Sequence, residues 1–350
     1  MPPKKNDKDT LVAALQKRFG STSATRLGSG RKAEAQVTEV IPTGIEVVDY
    51  YLCGIGGLAI GRVTEMFGEE GCGKTSFDYQ VLSAVQRLGG VAVVADPEFS
   101  FDEERARLFG VDVDELIVLQ PKNLEMLFNQ TRMVLEGHNP KKGPMLVSWD
   151  TLSACKPAAA AAKEAGDVAV GESARICSEE FPKIIPLLQA HRAHLFVINQ
   201  IRVKLGVMFG NNTTTAGGNS LKFYASMRMQ FFGGKALKDA SSGEHTGKVT
   251  TLMAVKTRFT PPFRKMRLRL DYATGYNNEW TTLEHAKRFK LIDPRGAKGQ
   301  PKKGPKAHAY ALAKLGWKAG VVDVDTPDPE SPVELPAPEK ASALRDEEEE

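Results

Sequence analysis

The stretch Val63-Thr64-Glu65-Met66-Phe67-Gly68-Glu69-Glu70-Gly71-Cys72-Gly73-Lys74-Thr75-Ser76 decides the fold. From Gly68 to Thr75 it fits the G-x-x-x-x-G-K-[ST] pattern in full, after a strand-like run, Gly61 to Phe67, and before a helix-forming segment, Phe77 to Leu88. Glycines let such a loop wrap an anion with its N–H groups turned inward, and the positive end of the next helix adds to the field. Lys74 is placed to reach the outer phosphates of a nucleotide, and the Thr75 hydroxyl to hold Mg2+. The candidate cofactor-binding set is therefore Gly68, Glu69, Glu70, Gly71, Cys72, Gly73, Lys74, Thr75 and Ser76, with ATP and Mg2+ as the expected ligands. The competing reading, a chance glycine-rich turn, leaves the strand and helix on either side unexplained.

Working outward, apolar strand-length runs alternate with helix-length segments from Val37 to about Gly275, as expected of an α/β core whose mostly parallel sheet is covered by helices. Besides the run before the loop, the best strand candidates are Val91 to Ala95, Leu116 to Leu119, Met145 to Trp149 and Leu195 to Ile198. Met145 to Trp149 runs into Asp150, an acid at a strand end that suits the magnesium shell, so Thr75 and Asp150 are the expected metal contacts. Val91 to Ala95 runs into Asp96-Pro97-Glu98, and Glu98 is the candidate for orienting an attacking water; the alternative is a solvated loop acid. These parts define a P-loop NTPase without fixing its task. The absence of an Asn-Lys-x-Asp guanine-reading sequence counts against a GTPase.

The flanks are different in kind. Residues 1–34 hold a short amphipathic stretch, Leu11 to Phe19, and a Gly/Ser-rich connector, expected to be a helix on a tether. Residues 35–275 form the expected ATPase core, and residues 276–323, with helices expected at Leu283 to Leu291 and Ala307 to Leu315, a small C-terminal domain. Residues 324–350 are proline-rich and end in acids, composition that buries too little apolar surface to fold. A net charge of +4 permits a polyanionic partner without arguing for one. No apolar run approaches the ~20 residues that cross a bilayer. The polar start, Met1 to Thr10, lacks a secretory h-region, so a cytoplasmic, non-membrane protein is expected. The four cysteines show no metal-like spacing, and neither disulfide nor zinc is expected.

The segment Val197-Ile198-Asn199-Gln200-Ile201-Arg202-Val203-Lys204-Leu205-Gly206-Val207-Met208-Phe209-Gly210-Asn211, continued by Gly217 to Ser226, closely resembles the bacterial RecA recombinase family. Similarity also covers Pro42 to Gly44, Gly56 to Leu58, Asp96 to Asp102, the region of Asp150, Gly166-Asp167, Ala174-Arg175 and Lys256 to Phe263. The resemblance implies a RecA-like P-loop core, filaments on single-stranded DNA in which the helix of residues 1–34 contacts another protomer, pairing with homologous duplex DNA, and strand exchange coupled to DNA-dependent ATP hydrolysis. An ATP-gated DNA-binding or regulatory ATPase that exchanges no strands is the alternative, and a ring helicase would not require the loop from Leu205 to Asn219.

Residue roles follow from the same resemblance. Asn199 and Gln200, after a buried strand, are placed to sense the γ-phosphate and relay it to that loop, where Leu205, Val207, Met208, Phe209, Gly217, Gly218 and Asn219 meet single-stranded DNA while Arg175 and Arg202 meet phosphates. Taken alone, Val207 to Phe209 reads better as a core strand, which fits poorly with the polar run Asn211 to Thr215. A second DNA loop lies in about 157–171, though Ala158 to Ala162 suits a plain helix. Lys256 and Arg258, on one face of a strand-like segment Thr251 to Phe259, act on the neighbouring protomer's ATP and join Lys74, Glu98 and Gln200 as the catalytic set. Asp102 and Arg105 flank the base, with Arg105 where the family usually has tyrosine. Cys72 replaces a common serine, Thr213 an acid and Val170 a methionine, the departures expected of a divergent, phage-borne member.

Overall fold

The computed structural model describes residues 7–21, 23–26, 37–161, 171–203, 213–292 and 305–317. An isolated helix, α1 (Asp7–Phe19), precedes the core and leaves Leu11 and Phe19 exposed. The core strands are β1 (Val40–Ile41), β2 (Leu58–Ala59), β3 (Val63–Gly68), β4 (Val91–Ala95), β5 (Ile117–Leu119), β6 (Met145–Trp149), β7 (Ala193–Val203), β8 (Thr213–Thr215), β9 (Met227–Lys238), β10 (His245–Thr257), β11 (Lys265–Asp271) and β12 (Gly275–Tyr276). Between them lie α2 (Lys74–Arg87), α3 (Glu103–Leu108), α4 (Leu124–Gly137), α5 (Ala158–Ala161), α6 (Glu172–Ala190) and α7 (Gly218–Tyr224); α8 (Asn278–Arg288) and α9 (Pro305–Leu315) follow.

The main sheet runs β12-β11-β10-β9-β3-β7-β6-β4-β5, with β8 paired to β7 and β1 to β2 apart. From β9 through β3 to β5 neighbours are parallel, and from β9 outward to β12 antiparallel. The inner parallel strands β3, β4 and β6 are buried on both faces, which is why they read as apolar runs, whereas β5 at the edge leaves Ile117 and Val118 exposed. On β4, Ala92 and Val94 join one core with Met66, Phe77, Val85 and Phe196, while Val93 and Ala95 join the other with Phe128, Trp149 and Phe181. That second core closes through perpendicular rings, Phe128 lying 5.1 Å from Trp149 and 5.3 Å from Phe181.

Several boundaries differ from the sequence expectation; the strand expected at Leu195 to Ile198 runs Ala193–Val203, so Asn199 and Gln200 lie within it and do not follow it. The helix expected at Leu283 to Leu291 starts earlier, at Asn278, because Asn277 caps it by accepting from the Trp280 N–H at 2.9 Å, and it ends at Arg288. The strand expected from Thr251 to Phe259 is longer at its start and shorter at its end, running His245–Thr257 with a register shift between Ala254 and Lys256. The shift precedes Lys256, and Arg258 lies one residue past the end of the strand, close enough for its charge to act on Lys256. Helices α8 and α9 carry a small core of their own from Leu283, Ala286, Ala307 and Ala311.

Candidate nucleotide-binding site

The carboxyl ends of four parallel strands build the site. Gly68, ending β3, is in register with Gln200 on β7. Trp149, ending β6, lies opposite Val197 of β7 and Ala95 of β4. The loop Gly68 to Thr75, Asp150, Asp96-Pro97-Glu98 and Gln200 therefore share one sheet edge, where open α/β sheets bind ligands.

Within the loop, Gly73 has a left-handed φ of +107°, and a Cβ there would stand 2.7 Å from the Tyr276 hydroxyl. That hydroxyl donates to the Gly73 carbonyl at 2.9 Å, so a buried tyrosine from β12 fixes the loop. Gly71 is also left-handed, φ +66°, with nothing within 4 Å of where a Cβ would be; there glycine answers to backbone conformation alone. Buried Lys74 donates from Nζ to the Gly68 carbonyl at 3.1 Å and the Glu69 carbonyl at 2.6 Å, and lies 3.6 Å from Cys72 Sγ. Burial pushes the Cys72 thiol up, so all three partners of the ammonium are neutral. A buried cation held by neutral groups fits an anionic ligand.

The Thr75 side chain is close enough to Asp150 to favour its ionised form. Burial, first, pushes the Asp150 carboxyl up to about 6, Glu98 and Asp96 add repulsion, and Thr75 and Lys74 oppose them. A hydroxyl and a carboxylate whose ionised form needs a cation suit Mg2+, which takes one or two protein oxygens and completes its shell with phosphate and water. Among the described residues, no group of three or more His, Cys, Asp or Glu could hold a metal ion alone.

Asp96, itself buried, accepts from the Glu98 N–H at 3.2 Å, the Phe101 N–H at 2.8 Å and the Ser100 hydroxyl at 3.4 Å. This turn holds Glu98 at the sheet edge. Desolvation and then the charges of Asp96 and Glu70 raise the Glu98 carboxyl, with Lys74 opposing. Asp102 caps α3 by accepting from the Arg105 N–H at 2.9 Å, and the Arg105 guanidinium donates to Ser76 Oγ at 3.1 Å, which sets it against the first turn of α2.

Behind Gln200, fully buried Asn199 joins three elements. Its Nδ2 donates to Glu65 Oε1 at 3.1 Å and the Ala216 carbonyl at 3.0 Å, and its Oδ1 accepts from the N–H groups of Gln200 at 3.1 Å and Ala216 at 3.2 Å. Ala216 opens the turn into Gly217, Gly218 and Asn219 at the start of α7. That turn packs on α6, since a Cβ on Gly218 would lie 2.7 Å from the Ala174 Cβ. Next along α6, Arg175 is exposed and donates to Glu179 at 2.8 Å. Arg202 lies on β7 with its backbone opposite Thr214, while Leu205, Val207, Met208 and Phe209 fall outside the described residues, as does most of the expected second loop.

Lys256 and Arg258 are not brought to their own loop. Arg258 N–H donates to the Ser226 carbonyl at 3.1 Å, and Ser226 N–H to Val63, where β3 begins. Gly68 ends that strand, ~16 Å away at ~3.3 Å per residue. Lys256 Nζ instead bonds the Lys222 and Phe223 carbonyls, at the end of α7.

The profile of the RecA N-terminal domain matches residues 7–277. The chain belongs to the RecA family. Among similar relatives, Protein RecA of Leifsonia xyli subsp. xyli is 36% identical over 288 residues, 82% of this chain and 78% of that one. Protein RecA of Bifidobacterium breve is 37% identical over 297 residues, 85% of this chain and 73% of that one. Protein RecA of Clavibacter michiganensis subsp. michiganensis is 34% identical over 345 residues, 94% of this chain and 91% of that one. Identity at this level marks a divergent RecA-family member. The partner of Glu65 escaped sequence reading: Arg228 on β9 meets it at 2.5 Å. The signal was there, since a glutamate inside the apolar run Val63 to Phe67 demands a cation.

Proposed function

We propose that this RecA-family chain is an ATP-dependent DNA recombinase that assembles on single-stranded DNA, pairs it with homologous duplex and exchanges strands. The observation that carries the reading is the link Gly68, Gln200, Asn199, Ala216, which joins the phosphate loop to the loop facing DNA through two consecutive residues of one strand. Bound ATP with Mg2+ would supply the phosphoanhydride bond and the metal's charge. Lys74 and the loop N–H groups bind the phosphates, Thr75 and Asp150 hold the metal, and Glu98 orients water and takes its proton. Gln200 meets the γ-phosphate, and Asn199 passes its position to Ala216 and α7.

Lys256 and Arg258 act on another protomer's nucleotide. Their place beside the start of β3 supports this, because that end faces away from their own phosphate loop. Lys256 then exchanges the carbonyls of α7 for phosphate when protomers stack, which ties the DNA-facing helix to the subunit interface. In this reading residues 1–34 engage a neighbouring protomer through the exposed Leu11 and Phe19, and residues 276–323 form a small appended domain. Among the described residues no helix is long and apolar enough to cross a membrane, and we place the protein in the cytoplasm. Electron microscopy of the chain with single-stranded DNA and a slowly hydrolysed ATP analogue, beside a strand-exchange assay, tests the proposal. Helical filaments with exchanged strands are expected. Filaments without exchange would leave an ATP-gated DNA-binding protein, and rings would point to a helicase.

A further inference from the structure

Strand β10 carries a lysine near each end. Lys256 lies at the end remote from the protomer's own phosphate loop, and Lys248 lies beside that loop. Lys248 Nζ donates to the Gly71 carbonyl at the tip of the loop and stands 5.9 Å from the centre of the Tyr272 ring. Burial first, then the charges of Arg105 and Lys74, hold its ammonium below the usual lysine value, with Cys72 opposing. Three cations from three elements thus crowd one loop: Lys74 from α2, Arg105 from α3 and Lys248 from β10. Like charges gathered in a half-buried place repel one another, and a polyanion between them reverses the sign of every pair. Only Lys74 belongs to the loop's own motif; nothing in the G-x-x-x-x-G-K-[ST] pattern calls for the other two.

We propose that Lys248 is a nucleotide-binding residue that contacts the phosphate chain held by its own protomer, as a second lysine beside Lys74. The inference rests on the nucleotide reading above. An ammonium has three N–H donors, and the Gly71 carbonyl takes one of them. The other two and the full charge serve the ligand. Lys248 thereby also fixes the loop tip, where nothing lies within 4 Å of the position a Gly71 Cβ would take. Because the contact is to phosphates present before and after γ-phosphate loss, it strengthens ATP and ADP alike. Such uniform binding lowers KM and leaves kcat unchanged.

The test is calorimetric binding of ATP, ADP and inorganic tripolyphosphate to the full chain without DNA, in wild type and in Lys248→Ala, Lys248→Gln and Lys235→Ala. Gln keeps a donor for the Gly71 carbonyl but no charge. Lys235 is an exposed cation of the same hairpin, paired with Val249 and so on the opposite face from Lys248. Loss of a charge-assisted contact predicts about tenfold weaker binding of all three probes to both Lys248 variants, less at high salt, with Lys235→Ala unchanged. Wild-type affinity in Lys248→Gln would overturn the proposal and leave Lys248 a tie for the loop alone, and that comparison decides the matter even if Lys248→Ala fails to fold. Weakening confined to ATP and ADP, with tripolyphosphate unaffected, would overturn it in favour of a nucleoside contact. A wild-type chain that binds none of the three would overturn the nucleotide reading itself.

Discussion

Replacing Asn199 by leucine should separate nucleotide binding from DNA binding. The leucine is close in size and stays in the apolar interior, but removes four hydrogen bonds of 3.0 to 3.2 Å. Glu65 keeps its ion pair with Arg228 at 2.5 Å, so no buried charge is orphaned. The Ala216 N–H and carbonyl and the Gln200 N–H do lose partners. At ~1 kcal/mol for each half-buried group, the fold should lose about 3 kcal/mol, a survivable fraction of a domain's stability. The larger consequence is local, because Ala216 is no longer tied to the end of β7 and α7 no longer follows Gln200. If ATP tightens binding to single-stranded DNA by the usual 1 to 3 kcal/mol of coupling, roughly 5- to 150-fold, Asn199→Leu should reduce that factor to near one. Its ATP affinity should stay within about twofold, since none of the four Asn199 side-chain hydrogen bonds goes to the Gly68 to Thr75 loop. Fluorescence anisotropy of a labelled oligonucleotide, with and without a slowly hydrolysed analogue, reads the factor directly. A folded Asn199→Leu with the wild-type ratio would refute the relay.

Lys74→Ala should weaken ATP binding, whereas Glu98→Gln should leave binding intact and slow turnover; equal loss of affinity in both, measured by calorimetry, would remove Glu98 from its role. The double variant Lys256→Ala with Arg258→Ala should bind ATP yet fail in DNA-stimulated hydrolysis, a loss of ~10³ or more if the pair acts as an arginine finger does. Mixed with Glu98→Gln at fixed total protein it should regain activity, because some interfaces pair an intact Glu98 with intact neighbouring cations; a straight line against mixing ratio would exclude action between protomers. Burial and then Arg288 and Arg264 lower His285 to about 3, so its neutral form stabilises the fold fully above the unfolded value of ~6.5 and progressively less as pH falls toward about 3. Asp49, raised by burial to about 8, titrates with the opposite sign, so the difference between wild type and His285→Phe isolates the histidine. From pH 7 to pH 5 wild type should lose about 2 kcal/mol relative to the variant in urea unfolding, and a pH-independent difference would refute it.

How far the sequence carries depends on which interactions are local. The loop at Gly68 to Thr75 and the acid after β6 were legible because each is a short pattern at a strand end, and parallel strands buried on both faces leave an unmistakable apolar signature. The boundary errors came from local features that compete with periodicity: Asn277 starts α8 five residues before its apolar pattern, and pairing with β9 carries β10 back to His245, well before the apolar run that marked it. What could not be read is what joins residues remote in sequence. Tyr276 on Gly73, Arg228 on Glu65 and Lys248 on Gly71 are separated from their partners by 203, 163 and 177 residues, and no spacing rule spans such distances. All three come from the antiparallel half, β9 to β12, which lies on the far side of β3 from the acids. The phosphate loop therefore sits at a seam. One flank, β7, β6 and β4, presents Gln200, Asp150 and Glu98, groups suited to chemistry, while the other props the loop and adds charge. Strand β10 thus places Lys248 at the protomer's own loop and Lys256 toward the opposite end of the sheet. Under the proposed assembly, with each site shared between two protomers, this one strand serves both the nucleotide a protomer holds and the one its neighbour holds.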